Sequence, residues 1–287
     1  HGIDPADITT LAHVSNRASS SLQRLLGKRL LHSASALGDP EATIQLISQA
    51  LRNDYLSHAE YAEPLRHLLV LVQTKRNIRA MVLLGQIRAV EGKRNEALAL
   101  YQRAAEDDAN DKDDEARADA WNALGRERLR RRDEAGAKAA FQNAADLDDP
   151  TAYFHLANCY PSAAPEYQLY HLKAATSGIP AAAHHLGVHY EAAAHSTTED
   201  TESASPSTKA AENIQLAKEW YTLAAQADWA PSSLQLALLL RREGKRDEGR
   251  AWLERIECRR HPELQRDVTR LLEGWDQEGE VRLGPEM

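Results

Sequence analysis

The stretch "AATSGIPAAAHHLG", residues 174–187, sets two alanines ahead of a glycine, then a proline, then a run of small residues that closes on Leu-Gly. It reads as one helix that stops and another that starts. Gly178 supplies the stop, Pro180 suits a first helical turn, and Ala182 and Leu186, four apart, share one face of the second helix. The frame is therefore Ala174, Gly178, Ala182, Leu186 and Gly187, and it recurs along the chain. Ala34, Gly38, Ala42, Leu46 and Ile47 fit it, as do Ala144, Asp148, Ala152, Leu156 and Ala157, and Ala224, Asp228, Ser232, Leu236 and Ala237. Val72, Arg76, Ala80, Leu84 and Gly85 fit less closely, and a sixth copy keeps Ala120, Leu124 and Gly125 behind an acidic insertion. Self-similarity at this spacing marks a repeat architecture, in which each unit buries its apolar face only against a neighbour.

A second helix precedes each junction. "NEALALYQRAAED" carries Ala97, Tyr101 and Ala104; "EAGAKAAFQNAAD" carries Ala137, Phe141 and Ala144; "QLAKEWYTLAAQA" carries Ala217, Tyr221 and Ala224. Spacings of four then three put one large knob between two small residues on a single helix face. The pattern predicts first helices starting near residues 40, 77, 118, 150, 180 and 230, and second helices near 58, 94, 133, 165, 210 and 245.

Composition agrees with an all-α chain. Of 287 residues, 43% are hydrophobic and 27% charged, enough apolar content for a core. Ala, Leu, Glu, Arg and Gln, the strong helix formers, dominate. The net charge of −8 argues against a duplex-binding protein, which needs a basic surface. No apolar run approaches the roughly 18 residues of a membrane span. Cys159 and Cys258 lie far apart, outside any Cys-x-x-Cys spacing, which argues against a disulfide framework or a structural zinc site.

"AMVLLGQIRAVEGKRNEALALYQRAAED" and "AWNALGRERLRRRDEAGAKAAFQNAADL" resemble tetratricopeptide repeats, with Trp121, Leu124, Gly125, Ala137, Phe141 and Ala144 at that family's signature places. The shorter junctions and "AKEWYTLAAQA" resemble the Sel-one-like variant, and the resemblance covers roughly residues 26 to 257. It implies an all-α, right-handed α-solenoid of stacked helical hairpins. It also implies a concave groove that binds a protein or peptide segment, with Arg79, Gln86, Asn122, Arg126, Arg130, Phe154, Asn158, His184, Leu234 and Arg241 pointing into it. Four of these are arginines and none is acidic, so acidic segments are among the partners that fit. Asn122, Arg126 and Arg130 recur every four residues along one helix.

Three segments follow: N-terminal helices over 1–39, the repeat array over 40–257, and a capping helix and tail over 258–287. "DDANDKDDEARAD", residues 107–119, reads as a solvated loop or an acidic helix start. "HSTTEDTESASPSTKAAEN", residues 195–213, reads as a surface loop, giving a flexible insertion near 193–210. His185 and His189, four apart, would hold zinc only with a third ligand; packed or surface histidines are the expected reading, with no metal or cofactor. Cys159, beside Leu156 and Tyr160, is expected to be a buried thiol. No catalytic motif is present. The functional expectation is a non-enzymatic interaction scaffold or assembly factor. The alternatives are a permanent subunit of a larger complex, or a helical-repeat RNA binder, which the net charge disfavours. "NRASSSLQRLLGKRLLHSAS" is similar to a mitochondrial transit segment, yet its end lies in the repeat frame through Ala34, leaving cytoplasm and mitochondrion as equal expectations.

Overall fold

A computed structural model describes residues 4–17, 20–107, 113–199, 208–256 and 261–276. Every regular element among these residues is helical, and the chain divides into two compact units, His1–Asp149 and Pro150–Met287. The first unit holds α1 (Pro5–Asn16), α2 (Ser21–Ala36), α3 (Pro40–Arg52), α4 (Ala62–Gln73), α5 (Ile78–Val90), α6 (Arg94–Ala105), α7 (Asp114–Arg130) and α8 (Glu134–Ala145). The second holds α9 (Pro150–Ala157), α10 (Pro165–Thr176), α11 (Pro180–Glu199), α12 (Thr208–Gln226), α13 (Ala230–Arg242), α14 (Arg246–Glu254) and α15 (Gln265–Glu273). Within each unit, helices that are consecutive in sequence pack as hairpins and stack on their neighbours. This is the all-α solenoid architecture that the repeat frame predicts.

The recurring junction has one backbone geometry. The residue four places after the leading alanine is left-handed in every described copy: Gly38 at φ 90°, Asp148 at 58°, Gly178 at 90°, Asp228 at 59°, and Arg76 at 48° in the looser copy. The next residue then donates its N–H back to the carbonyl of the leading alanine: Asp39 to Ala34 at 3.0 Å, Asp149 to Ala144 at 3.4 Å, Ile179 to Ala174 at 3.0 Å, and Trp229 to Ala224 at 3.1 Å. That bond closes a Schellman motif and satisfies a carbonyl the helix end would leave open. In the looser copy Asn77 reaches Leu71, one residue further back, at 3.1 Å. The turns inside the pairs use the same device at Asp54, Gly92, Arg132 and Gly244. Side-chain caps then start the next helix, as where the Ala42 N–H donates to Asp39 Oδ2 and the Ala80 N–H to Asn77 Oδ1, both at 2.9 Å.

Burial follows the frame. Ala34, Ala42, Ala144, Ala152, Leu156, Ala174, Ala182, Ala224 and Ser232 have no exposed surface, and Tyr101, Phe141 and Tyr221 are buried as knobs. The glycine of Leu-Gly takes the ring. A Cβ on Gly85 would lie 2.4 Å from Tyr101, one on Gly125 2.5 Å from Phe141, and one on Gly187 2.5 Å from Tyr221. In α10 the residue three before the junction alanine is His171, which is fully buried. At the end of the second unit Trp275 is buried with Leu253, Leu264, Val268 and Leu271. Its Nε1 donates to the Arg246 carbonyl at 3.0 Å.

Two sequence expectations need correcting. The acidic segment before the sixth copy is an acidic helix start, one of its two expected readings, but the helix begins at Asp114, four residues before the expected 118. Asp113 caps α7 by accepting from the Ala116 N–H at 3.2 Å, and Asp114 and Glu115 fill the first turn, where the helix dipole favours carboxylates. The insertion near 193–210 is not loop throughout. α11 runs on to Glu199 and α12 begins at Thr208, while 200–207 lie outside the described residues. The flanks are rich in alanine, and Ala194 and Ala210 are each buried to 3% exposure. Alanine carries no side-chain entropy cost in a helix, so the pair extends instead of fraying. No helix among the described residues is long and apolar enough to cross a membrane.

Candidate functional site

In the first unit the helices that open three consecutive pairs, α3, α5 and α7, enclose a cleft of about 190 Å³. Ile44 and Ser48 come from α3, Arg79, Val82, Leu83 and Gln86 from α5, and Glu115, Ala116 and Asp119 from α7. Arg79 and Gln86, two of the residues expected in the groove, both line this cleft. Arg79, however, is already engaged. Its guanidinium donates to both Asp113 oxygens at 3.0 and 3.3 Å and to Glu115 Oε2 at 3.1 Å, with Glu41 at 3.9 Å. The Asp113 hydrogen bond, foremost, raises the Arg79 pKa. Asp119 stands beside this cluster. Loss of hydration, then the charges of Asp149 and Glu115, lift its carboxyl above the usual carboxylate range. The cleft therefore carries apolar walls and an acidic rim around one neutralised arginine.

The other predicted groove residues divide by environment. Arg126 is exposed and forms no ion pair among the described residues. Arg130 lies 3.5 Å from Glu127 Oε2, a carboxylate of 2% exposure that Arg94 and Arg131 also approach, at 3.4 and 3.7 Å. It balances a buried charge, a structural task. Asn122 is 2% exposed and donates from Nδ2 to Asp149 Oδ1 at 2.8 Å, so it fixes packing and presents no open surface. Leu234, at 1% exposure, is core. Helix α13 packs it inward because Ser233, Leu236, Leu238, Leu239 and Leu240 are also buried, leaving little open face.

In the second unit Phe154 is half-buried, its ring 5.7 Å from that of His171 and 5.5 Å from that of His185. Asn158 is exposed and turns its Nδ2 back to the Phe154 carbonyl at 3.0 Å. His184 Nδ1 shares a hydrogen bond of 2.9 Å with Ser232 Oγ, tying α11 to α13. The Arg241 guanidinium sits 5.2 Å from the centre of the Trp275 ring, against the terminal helix. Sequence reasoning did not single out the cleft acids, nor that Tyr167 and His171 would cluster with His185. Tyr167 and His171 rings are 4.4 Å apart, His171 and His185 4.8 Å. Burial, with the charges of His185 and His189, lowers the His171 pKa to about 3, and burial lowers that of His184 to about 4. Neither nitrogen of His171 has a hydrogen-bond partner among the described residues. No group of three or more His, Cys, Asp or Glu side chains among them is arranged to hold a metal. Cys159 is half-buried, not fully enclosed, with its thiol 3.4 Å from the His155 carbonyl.

No family model matches the chain, and no curated protein matches its sequence. Solved structures match its shape. A protective antigen present in uropathogenic Escherichia coli strains, described as displaying an SLR fold, superposes with a TM-score of 0.57 at 15% identity over 96% of this chain. A Sel1 repeat protein from Oxalobacter formigenes superposes with a TM-score of 0.55 at 17% identity, over 78% of this chain and 88% of that one. The fold is a Sel1-like repeat fold. The chain spans 60% of the length of the Escherichia coli antigen. The likeness concerns the path of the backbone.

Proposed function

We propose that this Sel1-like chain is a non-enzymatic interaction scaffold that holds a segment of a partner protein against the faces of its first helices. The observation that carries this reading is the cleft shared by α3, α5 and α7. It is walled by Ile44, Val82 and Leu83 and rimmed by Gln86, Glu115 and Asp119, a mixture of apolar floor and orienting polar groups that suits recognition of a polypeptide. Glu41, Asp113, Glu115 and Asp119 around Arg79 favour a basic or uncharged side chain at this point. Acidic parts of a partner fit further along α7, at the exposed Arg126. A scaffold of this kind serves complex assembly, since it joins partners without chemistry of its own.

The test compares the partners recovered from native extract by the parent and by an Asp119→Lys/Arg126→Glu variant. Both residues are exposed, so melting curves should coincide and any change in recovery reports on binding. Charge reversal at Asp119, within the partly dehydrated cleft, should cost more than the roughly 0–1 kcal/mol of a surface pair such as one made by Arg126. Identical recovery by both proteins, with both folded, overturns the reading.

A further inference from the structure

Residues 8–38 contain four basic residues, Arg17, Arg24, Lys28 and Arg29, and no Asp or Glu, in a chain of net charge −8. The structure folds this basic stretch into the α1–α2 hairpin, whose two acids, Asp4 and Asp7, stand together at the start of α1. Its inner face is Ala12 from α1 with Gly27, Leu31, Ala34 and Ser35 from α2. Gly27 lets the two helices meet, since a Cβ there would lie 2.2 Å from Asn16 Oδ1 and 3.0 Å from the Ala12 carbonyl. The outer side is apolar. Leu22, Leu25 and Leu26 are 76%, 50% and 51% exposed, and α1 adds Leu11 at 57% and Val14 at 66%. Every residue from Ser20 to Leu26 is exposed, so the start of α2 stands clear of the stack. Arg17, Arg24 and Arg29 are exposed too and form no ion pair among the described residues, whereas Lys28 is held by Glu60 at 2.8 Å.

Leucines and unpaired arginines together, with no carboxylate between them, match one kind of surface. We infer that the α1–α2 hairpin docks peripherally on an anionic lipid bilayer, with Leu22, Leu25 and Leu26 entering the interface and Arg17, Arg24 and Arg29 lying over the headgroups. Apolar insertion and cation attraction are each weak alone and sufficient together. A second copy of the chain fits worse, because a symmetric contact would bring like-charged arginines together. Outside residues 8–38 the chain carries a net −12, Asp4 and Asp7 included, and is repelled by the same surface. That repulsion decays over about 8–10 Å at physiological salt and leaves the hairpin as the side that meets the lipid. The groove is not used, so lipid docking and partner binding are separable.

The test uses the full chain with sedimentable vesicles of phosphatidylcholine alone or mixed with phosphatidylserine. The parent should partition onto the mixed vesicles only, and high salt should release it. Arg24→Gln/Arg29→Gln should lower the partition about 25-fold, about fivefold for each charge. Leu22→Ser/Leu25→Ser/Leu26→Ser should abolish it with the melting curve unchanged, since all three side chains are exposed. A Trp placed by Leu25→Trp should shift its emission to the blue when anionic vesicles are added. Failure of the parent to bind anionic vesicles overturns the inference, as does equal binding by the triple serine variant. So does concentration-dependent dimerisation that the triple variant loses, because the face would then belong to a second copy.

Discussion

The Phe141 ring lies on Gly125 so closely that no Cβ fits between them. Gly125→Ala should therefore destabilise the first unit by about 1–3 kcal/mol, as overpacking does, even though alanine is the better helix former. Adding Phe141→Leu should recover part of the loss. A Gly125→Ala melt equal to the parent's would mean that the two helices separate without cost. His171 takes the knob place in α10 with a less suitable ring. The unfolded chain protonates it near the ordinary 6.5, while the folded chain resists until about 3. Because the folded value is the lower one, its contribution to stability is complete above about pH 6.5. It shrinks as the pH falls toward 3, by roughly 3 kcal/mol at pH 4. His171→Phe, borrowing the residue that α8 uses, should move the acid-unfolding midpoint of the second unit to lower pH. Far-ultraviolet circular dichroism across a pH series reads this directly, and an unmoved midpoint would falsify the account of His171.

At the level of the helix, the turns inside the pairs put Gly92, Arg132 and Gly244 in equivalent left-handed positions. An arginine there carries a Cβ penalty of about 1–2 kcal/mol that glycine lacks, offset in part by glycine's freer unfolded chain. Arg132→Gly should raise stability by up to about 1 kcal/mol, and Gly244→Ala should lower it by about as much; chemical denaturation of each variant decides. Most helix starts were legible in the sequence because junction residues signal themselves. Pro40, Pro150, Pro165 and Pro180 stand at first turns, and the left-handed residue lies in a fixed frame. The start of α7 was not, because Asp113 to Asp119 has the composition of a solvated loop as well as of an acidic first turn. Placing that start would also have exposed the cleft acids, since Glu115, Asp119, Asn122 and Arg126 are spaced as one helix face. Burial within that face was not legible. Asn122 and Arg126 lie one turn apart, yet only packing against Asp149 makes the first structural and leaves the second open.

For the whole molecule, stability accumulates between neighbours, so an end matters as much as a middle. Trp275 closes the second unit, with Nε1 on the Arg246 carbonyl and its ring against Gly249. Trp275→Ala should cost about 3–5 kcal/mol and act on that unit alone. Hydrogen exchange should then quicken in α13 to α15 and stay slow in α5 to α8; uniform quickening would mean that the chain unfolds as one body. The junction has a wider consequence. Its closing hydrogen bond runs from main chain to main chain, and its left-handed site accepts glycine, aspartate or arginine. Little in it is spelled by particular letters. A lineage of such proteins is free to rewrite itself almost entirely while each hairpin still turns where its predecessor did. Likeness in this fold is thus easier to see in the path of the chain than in its text: superposition over 96% of this chain goes with only 15% identity.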